Sequence, residues 1–166
     1  RAVIALRRAT PADAGYLLAL RQDVVTRANS RSTEPIDPEA HAAWLGQLFS
    51  DDTRRLYVAE NWGQAIGVGR LDVTARGTEI SITIAPAHRG RGLAARMIEA
   101  LVKAAPAAPV IAVVRTTNRA SIIAFLHAGF TPCAIDADLA EEAWPRWIEM
   151  RRLAEPDREP DGDASP

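Results

Sequence analysis

Thr83-Ile84-Ala85-Pro86-Ala87-His88-Arg89-Gly90-Arg91-Gly92-Leu93-Ala94 is the stretch from which the rest of the chain can be read. Upstream, Ile80, Ile82 and Ile84 alternate with Ser81 and Thr83, which predicts a strand from about Thr78 to Ala85 with one buried face. Pro86 breaks it. From Gly92 to Ala105, Leu93, Met97 and Leu101 run beside Ala94, Ile98 and Val102 on adjacent helical rows, and Pro106 and Pro109 end the helix. The segment is therefore strand, basic glycine-rich loop, helix. A helix start leaves about four backbone N–H groups unpaired, and the peptide dipoles add partial positive charge there. Gly90 and Gly92 let an anion approach the backbone, and Arg89 and Arg91 add charged donors. The ligand implied is a phosphate or pyrophosphate. The competing reading is a plain helix start with two turn glycines and solvated arginines. A P-loop would need Gly-x-x-x-x-Gly-Lys-Ser/Thr, which is absent. The dinucleotide fingerprint fails because Ala95 stands where its third glycine belongs.

Working outward, Val3–Arg7 reads as a first strand. Thr10-Pro11 opens a helix that carries Tyr16, Leu17, Leu20 and Val24 inward. Arg27 to Pro35 is a polar loop. Asp37-Pro38 repeats the cap-plus-proline start for a second helix with Trp44, Leu45, Leu48 and Phe49 on one face. Leu56–Ala59 and Ala65–Leu71 flank Asn61-Trp62-Gly63-Gln64 as a hairpin. Val110–Val114 is a short apolar run typical of a buried strand. Asn118 caps a helix containing Ile122, Phe125 and Leu126, and Gly129 suits its C-terminal turn. Phe130–Ile135 and Arg146–Leu153 read as the last strands. The order is an α/β one of mixed direction, with a right-handed crossover from Thr78 to Val114.

The chain has 166 residues and a formal net charge of −1, so it reads as one domain without the global field of a nucleic-acid binder. Its one cysteine, Cys133, excludes an intrachain disulfide and fits a cytoplasmic protein. No apolar run approaches the ~20 residues of a membrane span. Val3–Leu6 is too short for a signal-peptide core. Beginning at Arg1, the chain is read either as lacking its start or as a domain from a longer protein. Residues 1–154 form the expected domain. From Glu155 to Pro166, Pro, Asp, Gly and Glu predict a disordered tail or linker.

Two motifs bear a resemblance. Ile84-Ala85-Pro86 precedes Arg89-Gly90-Arg91-Gly92-Leu93-Ala94, which fits Gln/Arg-x-x-Gly-x-Gly/Ala. Asn118-Arg119-Ala120-Ser121 leads a helix that ends in Gly129-Phe130, 29 positions after Arg89 with a strand between. Together they resemble the GNAT superfamily of N-acetyltransferases, and the element order extends the likeness over Val3–Leu153. The resemblance implies a mixed, mostly antiparallel central sheet of six or seven strands with about four helices on its two faces. It implies acetyl-CoA as co-substrate and no metal. Backbone amides of Arg89, Gly90, Arg91, Gly92, Leu93 and Ala94 would bind the pyrophosphate. Ile82, Thr83 and Ile84 would pair with the pantetheine arm like an added strand, with Asn118 and Phe125 nearby. A β-bulge would splay this strand from Val110–Val114.

The implied reaction is direct attack of an amine on the thioester. Its oxyanion would be held by the N–H of Ile84 or a neighbour. Glu79, ten residues before Arg89, matches the place of the family's general base, although it also reads as a surface residue at a strand edge. The family's thiolate-protonating tyrosine falls at Phe125, so that acid is missing, and Tyr16, Tyr57 and Cys133 are unranked substitutes. Acceptor candidates are Arg27, Arg31, His41 and Trp44. His41-x-x-Trp44 places two side chains near one helical face, though a tryptophan there also reads as core and the histidine as surface. This stretch resembles the branch that acetylates nucleotide-linked amino sugars. The expected partner is thus a small-molecule amine, with no nucleic acid or membrane, and the expected assembly a homodimer. Protein N-termini, amino acids, aminoglycosides, polyamines (disfavoured by the lack of an acidic cluster) and a catalytically silent acyl-CoA sensor remain as alternatives.

Overall fold

The computed structural model describes residues 3–133 and 147–153. The elements are β1 (Ile4–Arg8), a 3-10 turn (Pro11–Asp13), α1 (Ala14–Gln22), α2 (Val24–Ala28), α3 (Pro38–Phe49), β2 (Arg54–Asn61), β3 (Gln64–Thr74), β4 (Gly77–Ile84), a second 3-10 turn (Pro86–His88), α4 (Leu93–Ala104), β5 (Val110–Arg115), α5 (Arg119–His127), β6 (Thr131–Pro132) and β7 (Trp147–Arg152). They build a seven-stranded sheet in the order β1-β2-β3-β4-β5-β7-β6. Only the β4–β5 pairing is parallel, so the expected mixed, mostly antiparallel α/β fold is present.

The described residues hold five α-helices rather than about four. The extra one arises at Asp23, whose extended ψ of 133° ends α1 and whose carboxylate accepts from the Thr26 amide to start α2. Val24, expected inside, is 70% exposed as a result. The hairpin between β2 and β3 turns on Trp62 and Gly63 alone, both at positive φ, which is the two-residue turn that matches strand twist. Of the two last strands, the first is confined to Thr131–Pro132: Phe130 and Cys133 lie just outside it, and positions 134–135 of its expected span, like the tail from Glu155, lie outside the described residues.

Strand alternation sends side chains to two cores. One face packs Ile66, Leu71, Ile80, Val110, Ala112 and Val114 against Met97, Ile98 and Leu101 of α4 and Phe125 of α5. The other packs Leu56 and Val58 against Leu17, Leu45 and Leu48 of α1 and α3. Gly69 lets α4 lie flush on the sheet, since a Cβ there would stand 2.4 Å from a Leu101 methyl.

β4 joins β5 at Thr78↔Val110 and Glu79↔Ile111 only. Beyond Glu79 the strands part, as the resemblance implied. The cause is different, because β3 and β4 stay in unbroken register. The register shift lies one strand over, in the β2–β3 pairing, where Ile66 of β3 is the extra residue opposite Ala59/Glu60. Thr78 secures the joint. Its Oγ1 donates to the Ala107 carbonyl at 2.6 Å and accepts from the Ala107 amide at 3.2 Å, while its own amide donates to Pro109 at 3.0 Å. Arg76 and Arg151 then clasp Glu149, 3% exposed on β7, at 2.7 and 2.6 Å. Burial pushes this carboxyl up, but the two guanidinium hydrogen bonds outweigh it and hold it below the usual range.

Gly77 has φ 132°, and a Cβ would sit 2.2 Å from the Pro109 carbonyl oxygen, whereas Gly46 inside α3 meets nothing within 4 Å. Gly77→Ala is expected to cost more than about 2 kcal/mol in chemical denaturation. Gly46→Ala should instead stabilise by about 0.5–1 kcal/mol through helix propensity. Equal effects at the two positions would contradict this account of the joint.

Candidate active site

The turn after β4 has the geometry of an anion cradle. Gly90 and Gly92 adopt φ of 73° and 67°, and Gly92 is the N-cap of α4. A Cβ at either would meet nothing within 4 Å, so the requirement for glycine is conformational, not lack of room. Among the described residues no hydrogen bond occupies the amides of Gly90, Arg91, Gly92 or Leu93. Arg91 is exposed, the Leu93 side chain is buried in the core and Ala94 is half-buried. β3 saturates one edge of β4 along its length, whereas among the described residues the other edge lies unpaired from Ile80 to Ile84. The half-buried Ile82, Thr83 and Ile84 line that opening, and Ile82 and Ile84 rest on the α4–α5 core.

Arg89 is placed otherwise than its motif suggests. Its Nε donates to the Ile84 carbonyl at 3.1 Å, and its Nη2 donates to Asp23 at 2.5 Å and to Thr26 Oγ1 at 3.2 Å. The guanidinium is spent inside the protein, and it holds the Asp23 carboxyl below its ordinary range. Asn118 caps α5, its Oδ1 accepting from the Ser121 amide at 3.2 Å. Phe125 corrects the expectation of a coenzyme contact. It is 2% exposed and meets Phe130 edge-on at 4.9 Å, so it offers no surface to a ligand. The helix turns it inward because Ala124 and Phe125 form the buried side of α5.

Glu79 stands at the point where β4 leaves β5, with Arg31 Nη2 at 3.5 Å and Asp72 opposite it on β3. Asp72 in turn is held by Arg54 at 3.3 Å and Arg70 at 2.8 Å, which offsets the proximity of two carboxylates. Both arginines also lie over the Trp44 ring, at 5.5 and 5.9 Å. His41 is buried beneath, 5.7 Å from Trp44, and burial followed by the nearby Arg21 lowers its pKa. Trp44 and His41 are thus packed together and partly used by the fold. Arg27 is likewise used: it donates to the carbonyls of Gln22 and Thr33 at 3.2 Å each. Arg31 is the acceptor candidate that remains on the surface, 70% exposed.

Arg21 and Ser30, which the sequence places in the acceptor stretch, and Gln22 and Arg115, which it does not single out, organise this end of the sheet. Arg21 donates to Ser30 Oγ at 2.7 Å, and Arg115, at the end of β5, donates to the Ser30 carbonyl at 2.8 Å while lying 4.8 Å over Trp147. The Gln22 carboxamide binds both the amide and the carbonyl of Ile36. The irregular stretch 29–36 is therefore strung on side-chain donors. Asp23 had a signal, an acidic residue three before Thr26, that matches an N-cap. Arg115 had none.

The three substitute proton donors are scattered. Tyr57 lies on β2, separated from β4 by β3, with Arg8 5.5 Å over its ring. Cys133 follows β6 at the far edge of the sheet. Tyr16 packs on the α1–α3 core, its hydroxyl buried without a hydrogen-bond partner among the described residues and its pKa raised by burial.

The sequence from residue 4 to 131 matches the family model of the acetyltransferase (GNAT) domain. The chain belongs to the GNAT acetyltransferase family. The protein is accordingly an acetyl-CoA-dependent N-acetyltransferase. No curated protein matches it. Among solved structures, spermidine N-acetyltransferase from Vibrio cholerae in complex with CoA and spermine is 20% identical, with a TM-score of 0.79 over 90% of this chain and 95% of that one. Ribosomal-protein-alanine N-acetyltransferase from Brucella melitensis is 24% identical, with a TM-score of 0.72 over 90% and 99%. A dodecameric structure of the Vibrio cholerae spermidine enzyme is 20% identical, with a TM-score of 0.71 over 90% and 93%. At these identities the likeness establishes the fold. This GNAT acetyltransferase also contains no helix, among its described residues, long and apolar enough to cross a membrane.

Proposed function

We propose that this GNAT acetyltransferase acetylates the primary amine of a small molecule that carries negative charge, a nucleotide-linked amino sugar being the acceptor its sequence points to. One observation carries the reading: among the described residues the β5-facing edge of β4 is unpaired beyond Glu79, and the free amides of Gly90 to Leu93 lie at the end of that edge. The pyrophosphate of acetyl-CoA sits on those amides, and the pantetheine arm runs along Ile82, Thr83 and Ile84 toward Glu79. Asn118 borders the same opening. Arg21, Arg31, Arg54, Arg70 and Arg115 surround the acceptor end, against Asp72 and Glu79, which favours an anionic acceptor over a polycation.

The amine arrives as its ammonium ion and must become a free base before it attacks. Glu79 takes its proton through a water, the nitrogen lone pair forms the C–N bond, and the N–H groups on the open edge of β4 hold the oxyanion. Collapse breaks the C–S bond, the nitrogen sheds its extra proton to solvent, and CoA leaves as a thiolate that solvent protonates. The Arg31–Glu79 pair is long and solvent-exposed on the arginine side, worth about 0–1 kcal/mol, so an arriving amine displaces it readily. Arg31 then stands free for the acceptor's anion.

Gly92→Asp should abolish CoA binding in calorimetry, with the circular dichroism spectrum unchanged; retained affinity would remove the turn as the pyrophosphate site. Glu79→Gln should lower kcat about 100-fold near neutral pH and less as pH rises and the amine ionises less. An equal loss at every pH would dismiss Glu79 as the base. Across a panel of UDP-linked amino sugars, free amino sugars, spermidine and an alanine-ended peptide, the nucleotide-linked compounds should turn over fastest. A preference for spermidine would overturn the anionic-acceptor reading.

A further inference from the structure

Arg89 and Asp23 connect the two halves of the site, and their contacts suggest more than a local staple. The coenzyme turn lacks internal support: its two glycines are left-handed and its amides from Gly90 to Leu93 make no hydrogen bonds. Its first residue, Arg89, is anchored at both ends, to the last carbonyl of β4 through Nε and to Asp23 and Thr26 through Nη2. Asp23 simultaneously caps α2, its Oδ2 accepting from the Thr26 amide at 2.9 Å and the Thr26 hydroxyl at 3.1 Å. α2 has five residues, Val24–Ala28. A helix so short has no stability of its own and takes its position from its attachments.

Its far end has attachments too. Ser30 follows α2, donates back to the Thr26 carbonyl at 2.7 Å, and is gripped by Arg21 and Arg115. The next residue, Arg31, reaches Glu79. A continuous path of hydrogen bonds thus runs from the coenzyme turn through Arg89, Asp23, α2 and Ser30 to the side chain facing Glu79.

We infer that Arg89 and Asp23 form a latch through which coenzyme occupancy of the turn fixes α2 and the acceptor-side stretch 29–36. The inference rests on the coenzyme reading of the turn. Arg89 is here a positioning residue, and its charge is answered by Asp23 instead of by the pyrophosphate. Filling the anion cradle pins the glycine backbone, and the latch carries that restraint to α2.

Hydrogen exchange of the full chain with and without saturating CoA tests this, with CoA affinity measured in parallel by calorimetry. In the unaltered protein, CoA should slow exchange of the amides of residues 24–31 about tenfold. Asp23→Ser keeps a capping oxygen for the Thr26 amide but loses the carboxylate that holds Arg89. In that variant the protection of 24–31 should vanish, protection at the turn should remain, and the CoA dissociation constant should stay within about threefold. Persistent protection of 24–31 in Asp23→Ser would overturn the latch. So would a gain of more than about tenfold in CoA affinity, which would mean that Asp23 had been withholding Arg89 from the pyrophosphate. Failure of CoA to bind the unaltered protein would instead refute the coenzyme reading itself.

Discussion

The active-site cleft exists because β4 and β5 are joined at two residue pairs and nowhere else. A parallel pairing that short would be weak alone. Thr78 compensates by placing its hydroxyl and amide on the backbone of 107 and 109, and Arg76 reaches across to the buried Glu149 on the strand beyond β5. The Thr78 bonds lie at one end of the two strands, and Glu149 stands further along, opposite Val113. The other end is released, and the backbone groups of β4 that a sheet would ordinarily consume remain available. Opening and joint are one design: a longer pairing would close the cleft, and a weaker clasp would let the sheet divide.

The electrostatics of the acceptor end follow a similar economy. Several arginines converge there, yet most of them are spent on the protein. Arg21, Arg27 and Arg115 donate to side-chain or main-chain oxygens of the stretch 30–33, and Arg54 and Arg70 share Asp72. A segment without regular structure has main-chain carbonyls that must be satisfied, and here guanidinium groups serve them. The site owes its shape to the same residues that give it its positive potential.

Much of the fold was legible because it is local. The alternation Ile80, Ile82, Ile84 and the rows through Met97 and Leu101 each state a period, and Pro86 and Gly92 mark the boundary between them. The coenzyme turn was legible for the same reason, since its glycines are needed for backbone conformation. What stayed hidden depends on contacts between distant residues. Helical spacing continues through Val24 and masks the cap signal at Asp23, whose ion pair with Arg89, 66 positions away, no local pattern shows. Phe125 holds a motif position whose usual occupant is polar, and only its contact with Phe130 reveals that it belongs to the core. Arg27 looked available because sequence does not show which carbonyls an arginine side chain will find.

The bare patch of sheet at Gly69 has an effect far from itself. Leu101 settles into it near the C-terminal end of α4, while the anion cradle lies at the N-terminal end. The helix is a rigid rod of twelve residues, roughly 18 Å at 1.5 Å per residue. Its seating at one end therefore sets the angle and height of the other. Gly69 touches no coenzyme, yet it acts as the fulcrum that aims the helix dipole, and a side chain there would tilt the rod and carry the cradle out of line with the open edge of β4.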